Sequence, residues 1–81
     1  MRIVGNIPNP SFKITVFSYN MKFIVKIETG PMSQEYKLGE DEVSGLGDIR
    51  QILSEDFLRK VKVRFDEMFK DWNAAIEKNL Q

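Results

Sequence analysis

Neither cysteine nor histidine occurs among these 81 residues. Without cysteine there is no disulfide and no thiolate nucleophile. Without histidine the usual general base and the commonest metal ligand are missing too. Long apolar runs are absent: no stretch approaches the ~20 residues of a membrane span. The start, Met1-Arg2-Ile3-Val4-Gly5-Asn6-Ile7-Pro8, carries one positive charge but no apolar run of signal-peptide length. Phosphate-cradling glycine motifs are missing as well, because Gly45-Leu46-Gly47 lacks both the continuation and a strand immediately before it. An excess of one charge is also lacking, since twelve basic and twelve acidic side chains cancel. No global field therefore draws the chain to nucleic acid or anionic lipid. These absences give the expectation of a cytoplasmic, non-enzymatic protein without cofactor or metal and with no place in a membrane. Carboxylate or lysine catalysis would still need a cleft that separates the pKa values of its groups. A small sheet under one helix offers little room for one.

What is present argues for a folded chain. The hydrophobic share of 42% and charged share of 30% suit one core with a solvated surface. A chain this short supports a single domain, 1–81, with a net stability of roughly 3–5 kcal/mol. Dimerisation would bury further surface. Charge is distributed unevenly: 1–38 is net +3, 39–56 net −5 and 57–81 net +2. The acidic middle is expected to fold back over its basic flanks.

Pro8 and Pro10 bias residues 1–10 toward extended backbone and forbid a helix, so this segment reads as an extended lead-in. From 11 to 38 the period is two. Phe12, Ile14 and Val16 alternate with Lys13, Thr15 and Phe17; Phe23, Val25 and Ile27 alternate with Lys22, Ile24, Lys26 and Glu28. A third strand places Gln34, Tyr36 and Leu38 on the same face. Asn20-Met21 and Gly30-Pro31 serve as two-residue loops. With those loops Val16 pairs with Val25, Ile14 with Ile27, Val25 with Tyr36 and Phe23 with Leu38. On the outer face Lys13 meets Glu28, Lys26 meets Glu35 and Phe17 meets Ile24. Apolar meets apolar and opposite charges meet, as cross-strand energetics favour.

Residues 39–47 form an acidic, glycine-containing loop. Asp48 is placed as the N-cap of a short helix over 48–53, and Ser54 as the cap of a long helix over 55–79. At 100° per residue Phe57, Leu58, Val61, Phe65, Met68, Phe69, Trp72, Ala75 and Ile76 share one arc. Val63 falls on the polar side, and Asp66 and Lys70 are spaced for an i,i+4 ion pair. The expected fold is α+β: a three-stranded antiparallel β-meander packed by a short helix and a long C-terminal amphipathic helix.

Three features invite a functional reading. Glu40-Asp41-Glu42 could suggest a cation loop, but three consecutive acids diverge and no loop-closing residue follows. On the outer sheet face Lys13, Lys22, Lys26 and Lys37 accompany Phe17, Tyr19 and Ile24, a mixture that single-stranded nucleic acid could use. The long helix, at roughly 37 Å, outruns strands of roughly 25 Å. Its surplus apolar residues Trp72, Ile76 and Leu80 are thus candidates for a protein partner or a second copy.

The segments Ser11-Phe12-Lys13-Ile14-Thr15-Val16-Phe17 and Lys22-Phe23-Ile24-Val25-Lys26-Ile27-Glu28, followed by Gly30-Pro31, resemble small bacterial proteins of β-β-β-α type. That resemblance implies the fold, carries no assigned activity, and transfers no catalytic residue. The function expected is a non-enzymatic protein–protein interaction module, self-association included, with single-stranded nucleic-acid binding as the alternative.

Overall fold

Both central hairpins close through two residues, and the loops set the register of the sheet. In the computed structural model, which describes residues 1–80, Asn20 and Met21 have φ of 53° and 62°. Two successive positive values are the mark of a type I′ turn, whose twist matches the strands it joins. Gly30 follows suit at 55° and hands over to Pro31, whose ring fixes a negative φ. The strands so joined are β2 (Lys13–Tyr19), β3 (Lys22–Thr29) and β4 (Met32–Gly39). All the pairings expected from the sequence occur, including Val16 with Val25, Phe23 with Leu38, Lys13 with Glu28 and Lys26 with Glu35.

The sheet has four strands, not three. Residues 1–10 are no mere lead-in: Arg2–Ile7 forms β1, antiparallel to β2, in the order β1-β2-β3-β4. Its register slips between Ile3 and Gly5, so Val4 is an extra residue and the strand bends. The bend lets α1 (Leu46–Ile52) approach closely. A Cβ on Gly5 would lie 2.9 Å from Leu46 Cδ1, so a larger residue here would have to shift the Leu46 side chain. Beyond β1, the Asn9 side-chain carbonyl accepts from the Ser11 and Phe12 amides at 2.8 and 3.0 Å, closing the loop into β2.

The inner face of the sheet supplies Ile7, Ile14, Val16, Val25 and Ile27 to the core. Above them lie Ile49 and Leu53, and Val61 and Phe65 from α2 (Glu55–Asn79). Phe12 packs at 5.6 Å between ring centres on Phe65, and Tyr36 meets Phe57 edge-on at 5.2 Å. Tyr36 Oη donates to Gln34 Oε1, and Gln34 Nε2 donates to the Val61 carbonyl at 3.0 Å. The edge strand β4 is thereby tied to the middle of the helix by a satisfied polar chain.

Several local expectations need correction. Part of the acidic loop is ordered as a 3-10 turn, Glu40–Glu42, with Glu40 Oε1 accepting from Ser18 Oγ at 2.6 Å. The short helix starts two residues early, and Gly45, not Asp48, is its N-cap. Gly45 has φ of 148°, where a side chain would be strained. Asp48 instead reaches back from the first turn and accepts from the Ser44 amide and hydroxyl at 2.8 and 2.9 Å. Those two bonds hold its carboxyl below the ordinary carboxylate range. Asp66 pairs with Lys62 at 3.1 Å rather than with Lys70. The cap of α2 is as expected, with Ser54 Oγ accepting from the Phe57 amide at 3.2 Å. Gln81, the outer bound of the expected domain, lies outside the described residues.

Candidate functional site: the projecting helix and the outer sheet face

The end of α2 projects past the sheet. Its 25 residues extend roughly 37 Å, while the eight residues of β3 or β4 reach only about 26 Å. Phe57 touches Tyr36 of β4, and Phe65 touches Phe12 just ahead of β2. The helix therefore packs along β4, reaches across to the loop ahead of β2, and leaves the sheet at the end carrying the Gly30-Pro31 turn. Phe65 is its last buried residue, and Met68 and Phe69 are half-buried. From Lys70 to Leu80 every residue is exposed.

The apolar stripe nevertheless continues. Trp72 is 55% exposed, Ile76 37% and Leu80 80%, spaced four apart on the arc that buries Val61 and Phe65. Where the stripe leaves the sheet, an open groove of about 550 Å³ lies between helix and turn, lined by Pro31, Met32, Met68, Asp71 and Trp72. Sequence reasoning reached Trp72, Ile76 and Leu80 through the length mismatch but missed the groove. Its other wall comes from the start of β4, and only the turn geometry places Pro31 and Met32 there.

The second candidate surface is the outer sheet face, with no helix over it. Lys13, Phe17 and Tyr19 on β2, Lys22 and Lys26 on β3, and Lys37 on β4 share it by strand alternation and register. They are not equally available. Lys13, Tyr19, Lys22 and Lys37 are exposed, whereas Phe17 and Lys26 are half-buried. Thr15 and Ile24 are buried on this face too, where the stems of long neighbouring side chains can cover them. Phe17 is thus set into the face rather than standing off it. Lys13 and Glu28, and Lys26 and Glu35, sit opposite each other without closing to ion pairs; the ion pairs resolved on α2 are Asp56 with Arg59 and Lys60, and Lys62 with Asp66. β1 adds Ile3 beside Phe17, a neighbour hidden from sequence reasoning while the lead-in counted as loop.

Among the described residues no group of three or more aspartate or glutamate side chains lies close enough together to hold a metal ion. None of the described helices is long and apolar enough to cross a membrane. No family model, curated protein or solved structure matches this chain.

Proposed function

We propose that this chain is a non-enzymatic protein–protein interaction module that engages its partner through the projecting third of α2. One observation carries this reading: the helix keeps its apolar stripe past the sheet, where Trp72, Ile76 and Leu80 remain exposed. An apolar residue such as Trp at an exposed position gains free energy only when something else buries it. Trp is also among the residues that most often dominate an interface. The non-enzymatic part is supported by the cavities, of which the five described hold at most one carboxylate each. A single acid does not make the separated pair that acid–base chemistry uses.

The test uses a photo-reactive residue placed at Ile76 in one variant and at Val63 in another, in the organism's own cells. A protein adduct from position 76 and none from position 63 supports the reading. Equal yields, or none from either, would overturn it.

A second reading, single-stranded nucleic-acid binding through the outer face, is supported by four lysines there that make no ion pair among the described residues, beside the exposed Tyr19. It requires binding at low salt that weakens steeply as salt rises and that falls in Tyr19→Ala. An absent gel shift at low salt would end it.

A further inference from the structure

The sheet has two free edges, and they differ. β1 carries the Val4 bulge and runs into Pro8, two devices that spoil an edge for further pairing. β4 has eight residues in unbroken register with β3, no bulge and no proline. Its free hydrogen-bonding groups follow from the turn. In a two-residue hairpin the flanking residues, here Thr29 and Met32, form a hydrogen-bonded pair, and bonded pairs recur at every second residue. Gln34, Tyr36 and Leu38 therefore turn their backbone groups toward β3. Ser33, Glu35, Lys37 and Gly39 turn theirs toward the open edge.

An antiparallel strand can bond to that edge only if these odd-numbered positions lie opposite its own outward-turned residues. When the added strand is β4 itself, few registers satisfy this condition. One sets Glu35 against Glu35 of the second copy, and another sets Lys37 against Lys37 of the second copy; like charges directly opposite are unfavourable. The register between them centres a two-fold axis on Tyr36. It places Glu35 opposite Lys37 of the second copy and Lys37 opposite Glu35 of the second copy, with Ser33 opposite Gly39 at the ends. The strand is self-complementary in charge and in backbone parity at once. Glu35 and Lys37 are exposed and make no ion pair among the described residues.

The arrangement places both copies' helices on one face of the sheet, each tied to its own β4 through Gln34 and Tyr36. A small apolar cavity of about 210 Å³, bounded by Tyr36, Leu38 and Ile52, lies along the inner side of the same edge. Ile52 is 51% exposed there and would gain cover.

We infer that β4 pairs with β4 of a second copy, in the register that centres Tyr36, to give a continuous eight-stranded sheet. This inference does not rest on the helix surface proposed above. The experiment is sedimentation equilibrium or light scattering over a concentration series on four proteins: wild type, Glu35→Lys, Lys37→Glu and the double swap Glu35→Lys/Lys37→Glu. Each single change puts like charges opposite at both symmetry-related positions and should raise the dimer dissociation constant at least about tenfold. The double swap should restore wild-type dimerisation, and an equal mixture of the two single variants should form the heterodimer that neither makes alone. Both positions of change are exposed, and unchanged circular dichroism checks the fold. Trp72→Glu should leave the dimer intact, which separates failure here from failure of the helix reading. A wild type that stays monomeric up to ~1 mM, or a dimer indifferent to the charge changes, overturns the inference.

Discussion

Met21 holds a φ of 62° with its side chain 80% exposed, so it bears the strain of a left-handed conformation and gains little packing in return. The second central position of a type I′ turn favours glycine, and the strain for other residues is about 1 kcal/mol. Met21→Gly should therefore stabilise the fold by about 0.5–1 kcal/mol, after the extra freedom of glycine in the unfolded chain is subtracted. In a domain of this size that is a rise of roughly 3–6 °C in a thermal melt; an unchanged or lower midpoint would show that the turn is not strained there. Asp48 offers a second test at the same scale. Its folded pKa is depressed by the Ser44 amide and hydroxyl. The stability it contributes is thus fully present above the unfolded value near ~3.9 and is lost as pH falls through the lower folded value. Melting midpoints recorded from neutral to strongly acid pH should fall more steeply below pH ~4 in the wild type than in Asp48→Asn. Parallel acid limbs would mean that the Ser44 contacts are not formed in solution. The effect should be small, because the carboxylate is solvated.

For the elements, the phase of α2 decides the cost of each change. Phe65 is 2% exposed, and Phe65→Ala should cost about 3–5 kcal/mol, enough to unfold a domain this small. Val63, two residues earlier and 53% exposed, faces the opposite way, and Val63→Lys should leave the melt within about 0.5 kcal/mol of wild type. Equal effects at the two sites would put the helix in another rotation. Phe23 belongs with neither, since the structure leaves it half-buried at the far end of the sheet. Its truncation should cost nearer 1–3 kcal/mol than the full core value that alternation alone suggests. The same contrast explains what was legible in the sequence. The register of β2, β3 and β4 could be read because each hairpin loop is two residues long and only one register matches both faces. β1 could not, for its Val4 bulge breaks the period of two and Gly5 and Pro8 read as loop. Gly5 is explained only by Leu46, forty-one positions away, and no local pattern announces such a contact. The start of α1 was misplaced for a related reason, because Asp48 has the chemistry of a cap yet uses it from inside the first turn.

Taken whole, the molecule is long: 49 × 27 × 18 Å, with a Cα radius of gyration of 14.7 Å against about 12 Å for a compact chain of this length. The excess comes from the helix beyond Phe69, which is why the candidate site was partly legible in the sequence: Trp72, Ile76 and Leu80 follow from comparing two lengths. Which body covers them does not follow from length, since nothing in the stripe encodes its partner. Ten exposed helical residues, 70–79, are marginal by themselves, and here they continue a helix already nucleated over the sheet. Their order should therefore decay with distance from Phe69. Hydrogen exchange should show protection over Val61 and Phe65, little from Ala74 onward, and a gain at 72–78 when a partner binds. Removing residues 74–81 provides the complementary measurement. Because no described residue in that segment is buried, the melting midpoint should move by less than about 4 °C, equivalent to under ~1 kcal/mol. Small-angle scattering should record a smaller radius. A collapse in stability would mean that the projecting turns pack on something within the same chain. Pairing through β4 should survive the same deletion, since its bonds lie on the sheet edge. In that dimer the two-fold keeps both helices on one face and sends their free ends in opposite directions. A pair of copies would thus present two separate apolar stripes, and a partner that binds one should bind the dimer in a ratio of two to two.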